Sequence, residues 1–306
     1  MSERKFIAFG TSSQVPGRTR NQGGYLLRWD DQGFLFDPGE GTQRQMIFAG
    51  VSVSEITKIF ITHFHGDHCL GLAGIIQRLS LDRVPQEIEI YYPGSGQVYF
   101  ESLKNAAIYF DAARLKQCPV SGSGRIFEDD RFVIQAGELD HIKDTYGYSI
   151  REKDTYTLNP SKLDDFGIKG KDIGKLKTQG RLENHGRTVC LDDVGQVLPG
   201  QAFAFVMDTR PCKNAAELAR GVDMLVCEST YLEEHVKIAQ EYGHLTASQA
   251  ASIARDAAVK RLVLTHFSQR YETTEGFVKE AKAIHPDVVA AHDGAHIPLP
   301  RRKRIM

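Results

Sequence analysis

Five short apolar runs in this chain each stop at a residue that can bind a proton or a metal. Phe34–Phe36 ends at Asp37, Ile59–Thr62 at His63, Ala202–Met207 at Asp208, Met224–Cys227 at Glu228, and Leu262–Thr265 at His266. Runs of three to six β-prone residues read as strands buried on both faces. Several are followed by helical patterns. Leu70–Leu79 is apolar at helical spacing, and Ala215–Arg220 closes on Gly221, which suits the left-handed residue past a helix end. Thr246 and Gln249 have the spacing of a capping box that opens the Ala-rich stretch Ala247–Lys260. Strands alternating with helices make an α/β protein, and in such sheets ligands gather beyond the carboxyl ends of the strands. One aspartate after a strand is usually a turn or a cap. Five polar endings together predict a functional rim.

The densest chemistry lies in Thr62-His63-Phe64-His65-Gly66-Asp67-His68, with three imidazoles and a carboxylate inside six residues. Left unpaired in a core, such groups cost several kcal/mol each. As metal ligands they are satisfied: neutral imidazole suits zinc, and a carboxylate extends the site to a second ion. In an extended stretch His63 and His65 point to the same side, and Asp67 and His68, after the turn at Gly66, reach a second position. Two ions need more ligands. Asp208 can bridge them, and His266 follows a strand on the same side. His141, in Leu139-Asp140-His141, is a further candidate whose spacing alone proves nothing.

The 306 residues are 41% hydrophobic, enough for a large core, and the length fits either two domains or one large α/β unit. A net charge of −1 excludes a globally basic coat for nucleic acid, so any phosphate-binding surface must be local. One local surface stands out. From Arg151 to about Asn184 apolar residues are few and no period is visible. Lys169, Lys171, Lys175, Lys177 and Arg181 face a single acid, Asp172, among Gly170, Gly174 and Gly180. This reads as an inserted, mobile, basic arm, with a solvated loop as the alternative. The scattered cysteines, Cys69, Cys118, Cys190, Cys212 and Cys227, form no C-x-x-C pair and read as small apolar residues in or near the core of a reducing-compartment protein. The apolar runs are too short to span a membrane, and the first ten residues show no signal peptide, so a cytoplasmic location is expected.

The strand, H-x-H-x-D-H and helix succession resembles the metallo-β-lactamase superfamily, an αββα four-layer sandwich. Further motifs look like its tRNase Z branch, endoribonucleases that mature tRNA 3′ ends. They are Phe9-Gly10-Thr11 with Pro16 and Arg20-Asn21, Phe36-Asp37 with Gly39-Glu40-Gly41-Thr42-Gln43, and Tyr146-Gly147-Tyr148 after His141. Asp208-Thr209-Arg210, Glu228-Ser229-Thr230, Gly243-His244, Leu264-Thr265-His266 and Arg270-Tyr271 complete the set. The likeness runs almost end to end and implies a single domain over residues 1–306, its basic insert at about 151–184 being the family's tRNA-gripping arm. It implies one zinc on His63, His65 and His141 and another on Asp67, His68 and His266, with Asp208 and a hydroxide bridging them; manganese also fits these ligands. Asp67 would orient or deprotonate the nucleophile, Glu228 and His244 would deliver a proton to the leaving 3′ oxygen, and Asp37 would hold the metal loop by hydrogen bonds. Arg20, Asn21, Lys169, Lys171, Lys175, Lys177 and Arg270 are the candidate RNA contacts, although Arg20 and Asn21 serve equally to order the turn after Pro16.

Three departures from the family pattern stand out: Gly170-Lys171 where Gly-Pro is common, Cys227 where a histidine usually begins the loop of Glu228, and Pro38 before Gly39-Glu40 in place of cysteine. His185, His235, His285, His292 and His296 lie outside the motifs and read as surface or structural residues, and the Arg301–Arg304 cluster as a charged tail. The expected protein is a homodimeric, metal-dependent endoribonuclease acting on precursor tRNA. Its rivals are a superfamily hydrolase of small phosphodiesters or sulfate esters, and a non-catalytic RNA-binding protein stabilised by metal.

Overall fold

Alternation along each buried run decides which face it covers. In the strand Ala202–Val206, Ala202, Ala204 and Val206 pack with helices. Phe203 and Phe205 turn the other way, with ring centroids 5.6 and 4.7 Å from Phe36 of the opposite sheet. Phe6 and Tyr25 meet the same pair, and Phe60 meets Tyr148 at 5.0 Å. All these rings are wholly buried. At about 1.5–3 kcal/mol for each large apolar side chain removed from water, this aromatic layer is the main glue between the sheets.

The computed structural model describes residues 4–184 and 186–301. One seven-stranded sheet orders its strands His296–Pro298, Arg4–Gly10, Gly24–Trp29, Gln32–Phe36, Lys58–Phe60, Ile88–Pro93 and Leu115–Val120. The other runs Val288–Ala290, Arg261–Thr265, Met224–Glu228, Ala202–Val206, Tyr146–Glu152, Phe132–Glu138 and Gly124–Glu128. Thr42–Phe48, Leu72–Leu81 and Gln97–Lys104 bury Met46, Ile75, Ile76 and Phe100 against the first. Lys213–Ala219, Ala247–Asp256 and Glu275–Lys282 cover the second. This is the expected αββα sandwich. The capping box at Thr246 and Gln249 is formed, and Gly221 has a φ of +65° just past its helix. Among the described residues no helix is long and apolar enough to cross a membrane.

The predicted strand endings fall as the runs implied. Gln32–Phe36 is parallel to Lys58–Phe60, and Ala202–Val206, Met224–Glu228 and Arg261–Thr265 are parallel neighbours. Three residues that leave these strands, Asp37, Asp208 and His266, have φ of +41°, +54° and +61°. For residues with a Cβ this left-handed turn is uncommon, and it concentrates where function holds the chain in place.

The basic segment differs from its sequence reading. Asp129–Val133 and Arg151–Gln201 belong to a second compact unit. Within it lie the helices Pro160–Asp165, Lys171–Gln179 and Leu191–Val194, and two strand pairs, Thr155–Leu158 with Gly195–Leu198 and Arg181–Asn184 with Arg187–Cys190. Isolated apolar residues, Leu163, Ile168, Leu176, Val189 and Val194, converge as a small core. No run is long enough to show a period, which is why the segment reads only as a mobile basic arm. Lys171 takes the first helical position after Gly170, the place where proline is tolerated best, so the helix starts without the family's proline.

Candidate metal centre and catalytic cleft

The H-x-H-x-D-H segment leaves its strand at Phe60 and enters the short helix Gly66–Cys69. Asp37 holds the start of this loop. Its Oδ1 accepts the Thr62 amide at 2.7 Å, and its Oδ2 accepts the Thr62 hydroxyl at 2.7 Å and His68 Nδ1–H at 2.9 Å. Below the loop, the Gly39–Gln43 motif acts as a packing bed. A Cβ on Gly39 would lie 2.2 Å from the Asp67 carbonyl oxygen, and Thr42 donates to the Gly39 carbonyl at 2.8 Å.

Three groups of donor atoms result, the third being Asp208 with His244 and His266. His63, His65, His141 and Asp208 bring ligand atoms within 4.8 Å of one another, and so do Asp67, His68 and His266. His63 Nε2 lies 2.9 Å from His65 Nδ1, which is 3.3 Å from His141 Nε2. Asp208 stands between the first two groups: its Oδ2 is 3.7 Å from His63 Nε2 and 3.3 Å from His68 Nε2, and its Oδ1 is 3.3 Å from His266 Nε2.

The far sides of the rings fix which nitrogen is bare. His68 Nδ1–H is committed to Asp37. Because the Thr62 hydroxyl donates to Asp37, it accepts from His63 Nδ1–H at 3.0 Å. His141 Nδ1–H donates to the Gly243 carbonyl at 2.9 Å. In the neutral rings these bonds leave the lone pair of each Nε2 turned toward the centre, the arrangement of metal-ligating histidines. His68 Nε2 and Asp208 Oδ1 are buried and make no hydrogen bond. Orphaned lone pairs of this kind are costly unless a cation receives them, so the residues fit a divalent metal.

The electrostatics set His68 apart: burial opposes its charge, but Asp67 and Asp208 outweigh it and hold the ring well above the usual imidazole range, the positive charge that these carboxylates call for. Burial, helped by neighbouring His68, pushes His63 well below the usual imidazole range, into its neutral ligating form. Burial alone would raise Asp208, but His266 and His68 outweigh it and hold the carboxyl well below its ordinary range. Asp67 is lowered in the same way, His68 and His266 overcoming its burial.

His141 depends on contacts that no local pattern reveals. Arg210 donates Nε–H to the Gln240 carbonyl at 2.7 Å and Nη1–H to Asp140 Oδ1 at 3.3 Å, pinning the 140–141 turn to the end of the helix Val236–Tyr242. Gly243 follows with a φ of +78°, and a Cβ there would sit 2.7 Å from His141 Nδ1. His244 comes next. Its Nδ1 donates to Glu228 Oε1 at 3.1 Å, and Glu228 is wholly buried at the end of its strand, with no helix beginning there. Burial would lower His244, but Glu228 and Asp208 raise it to about 9.

A cleft of about 440 Å³ opens over these groups, its walls formed in part by Ser13, Tyr231, Tyr242, Ser268 and Arg270. Arg270 is exposed, its guanidinium 5.1 Å from the Tyr231 ring centre. The two tyrosines carried no sequence signal beyond the motifs beside them. Arg20 and Asn21 make the bonds of turn-ordering residues: Arg20 donates to the Tyr271 carbonyl, and Asn21 Nδ2 donates to the Glu40 carbonyl at 2.7 Å. In the second unit Lys169, Lys171, Lys175 and Lys177 are exposed, with Lys175 paired to Asp172 at 2.8 Å.

Away from the site, His235 bonds the Tyr271 hydroxyl at 2.7 Å, His285 is buried, and His292 and His296 are exposed. His185 and the tail after Arg301 lie outside the described residues. All five cysteines are free. Cys69 and Cys227 are buried as expected, whereas Cys190 is exposed, because it precedes a short surface helix.

Known proteins resemble this chain along nearly its whole length. A model of the metallo-beta-lactamase superfamily matches residues 24–198, and one of a beta-lactamase superfamily domain matches residues 178–267. Ribonuclease Z of Nocardia farcinica is 52% identical over 305 residues, covering 99% of this chain and all of that protein. Ribonuclease Z of Streptomyces avermitilis is 49% identical over 304 residues, again covering 99% of this chain and all of its own. The crystal structure of human tRNase Z, short form, superposes with a TM-score of 0.72 at 26% identity, covering 97% of this chain and 100% of that one.

Proposed function

This chain belongs to the ribonuclease Z family, and on that premise we propose that it is a metal-dependent endoribonuclease that removes 3′ trailers from precursor tRNA. The observation that carries the reading is the pair of donor clusters with Asp208 in hydrogen-bond range of both, beside one polar cleft. His63, His65 and His141 would hold one divalent cation and Asp67, His68 and His266 another, with Asp208 facing both. Imidazole-rich sets of this kind favour zinc, and manganese is also accommodated. Bound there, such cations supply a water that ionises near neutral pH and positive charge for the phosphate oxygens.

The chain's own residues do the rest. Asp67 would orient the attacking water by accepting a hydrogen bond from it. Asp37 keeps Thr62 and His68 in place. His244, fixed by Glu228 through Nδ1, gives a proton from its other nitrogen to the leaving 3′ oxygen, a poor leaving group when unprotonated. Arg270, at the cleft wall, takes an RNA phosphate. Lys169, Lys171, Lys175 and Lys177 grip the folded tRNA body through phosphates, by shape more than by sequence. Val98, Tyr99, Ile108 and Phe110 are large apolar side chains left exposed on and just after the helix Gln97–Lys104, which favours burial against a second copy. The protein works as a cytoplasmic homodimer on this reading.

The test is to incubate metal-replete protein with precursor tRNA and map both product ends. A single cut on the 3′ side of the acceptor region, leaving a 3′-hydroxyl on the tRNA and an intact trailer, is expected. An uncut precursor, or fragments from throughout the tRNA, would overturn it.

A further inference from the structure

Between His266 and Glu228 stands Thr230, which is 2% exposed. Its Oγ1 lies 2.6 Å from Glu228 Oε2 and 2.9 Å from His266 Nδ1. Glu228 receives donors on both oxygens, since Oε1 also accepts the Thr209 amide at 2.7 Å and His244 Nδ1–H at 3.1 Å. A carboxylate so surrounded has no proton to give, so the Thr230 hydroxyl must donate to Oε2. Its one proton is then used, and it can only accept from His266 Nδ1–H. In the neutral ring the lone pair then sits on His266 Nε2, 3.4 Å from Asp67 Oδ2 and 3.3 Å from Asp208 Oδ1.

The first sheet repeats the construction with different residues. There Asp37 accepts the Thr62 hydroxyl, and Thr62 accepts from His63 Nδ1–H. Each sheet thus ends a strand in a buried carboxylate that reaches a histidine through one threonine. A direct carboxylate–histidine bond would serve a single ring. The interposed hydroxyl lets Glu228 keep Oε1 for His244 while steering His266 from Oε2.

We propose that Thr230 is a positioning residue that locks His266 in its ligating tautomer and ties it to the carboxylate that orients His244. One buried charge, Glu228, then aligns the metal side and the leaving-group side of the cleft together. This inference rests on the metal reading of the site.

The test compares Thr230→Val, which keeps the branched shape and deletes the hydroxyl, with Thr230→Ser, which keeps the hydroxyl and deletes the methyl. Zinc affinity is read by competition with a chromogenic chelator, and kcat and KM are read on precursor tRNA. Thr230→Val is expected to weaken zinc binding about 10–100-fold, the usual effect of losing a partner behind a metal ligand, and to lower kcat with KM unchanged within about threefold. Thr230→Ser should stay within about threefold of wild type in both. If Thr230→Val fails to fold by circular dichroism, Thr230→Ala takes its place in the comparison with serine. Wild-type zinc affinity and kcat in the hydroxyl-free variant would overturn the proposal, as would a serine variant that loses as much as valine. A wild-type protein that retains no zinc would instead defeat the metal reading itself.

Discussion

Replacing Asp208 by Asn is expected to lower kcat on precursor tRNA by roughly 10³-fold or more, a loss of about 4 kcal/mol in transition-state stabilisation. The size follows from its position. Among the described residues Asp208 is the one whose carboxylate faces both donor groups, with Oδ1 toward His266 and Oδ2 toward His63, His68 and His141. Asparagine keeps the shape but removes the charge, and its amide offers donors or a neutral oxygen where a cation needs an anion. KM should hold within about threefold, because binding of the tRNA body is assigned to lysines in the other unit. Steady-state kinetics beside a far-ultraviolet circular dichroism spectrum check this. A variant that folds and retains more than about a tenth of wild-type kcat contradicts the role given to Asp208.

Replacing Lys169, Lys171, Lys175 and Lys177 together by Ala should leave hydrolysis of a small chromogenic phosphodiester unchanged while kcat/KM on precursor tRNA falls about 100-fold at low salt. None of the four contributes to the small core of Leu163, Ile168, Leu176, Val189 and Val194, so the unit keeps its fold. The pairs they lose, Lys169 with Asp164 at 3.5 Å and Lys175 with Asp172, are surface pairs worth about 0–1 kcal/mol each. Loss of phosphate contacts should also flatten the salt dependence. The slope of log kcat/KM against log salt should become shallower by about three, somewhat under one per lysine. Equal losses on both substrates, or an unchanged slope, would remove the arm from tRNA recognition.

How far these conclusions were legible in the sequence varies by residue, for physical reasons. Strands buried on both faces show as apolar runs whatever surrounds them, so Phe34–Phe36 and Ala202–Met207 announced themselves, and the polar residues ending them fell on the rim. The H-x-H-x-D-H segment is local, and its spacing survives folding. His141 is different. Its place depends on the Gly243 carbonyl about a hundred residues away and on Arg210 clamping the turn before it, contacts that leave no mark near residue 141. Thr230 was visible only as part of Glu228-Ser229-Thr230, because a hydroxyl that relays between two side chains looks like any other threonine. Arg20 and Asn21 show the converse. Charge and amide suit them to phosphate, and in the fold both also bond backbone carbonyls, a use that the sequence does not display. In the arm, five isolated apolar residues make a core that no window of sequence displays.

The most direct measurement strips the protein of metal with a chelator, removes the chelator, and follows precursor tRNA cleavage before and after zinc is restored. The structure predicts that cleavage disappears in the stripped protein, returns with zinc, and gives the same product ends as at the start. Undiminished cleavage by protein shown to hold no metal would contradict it.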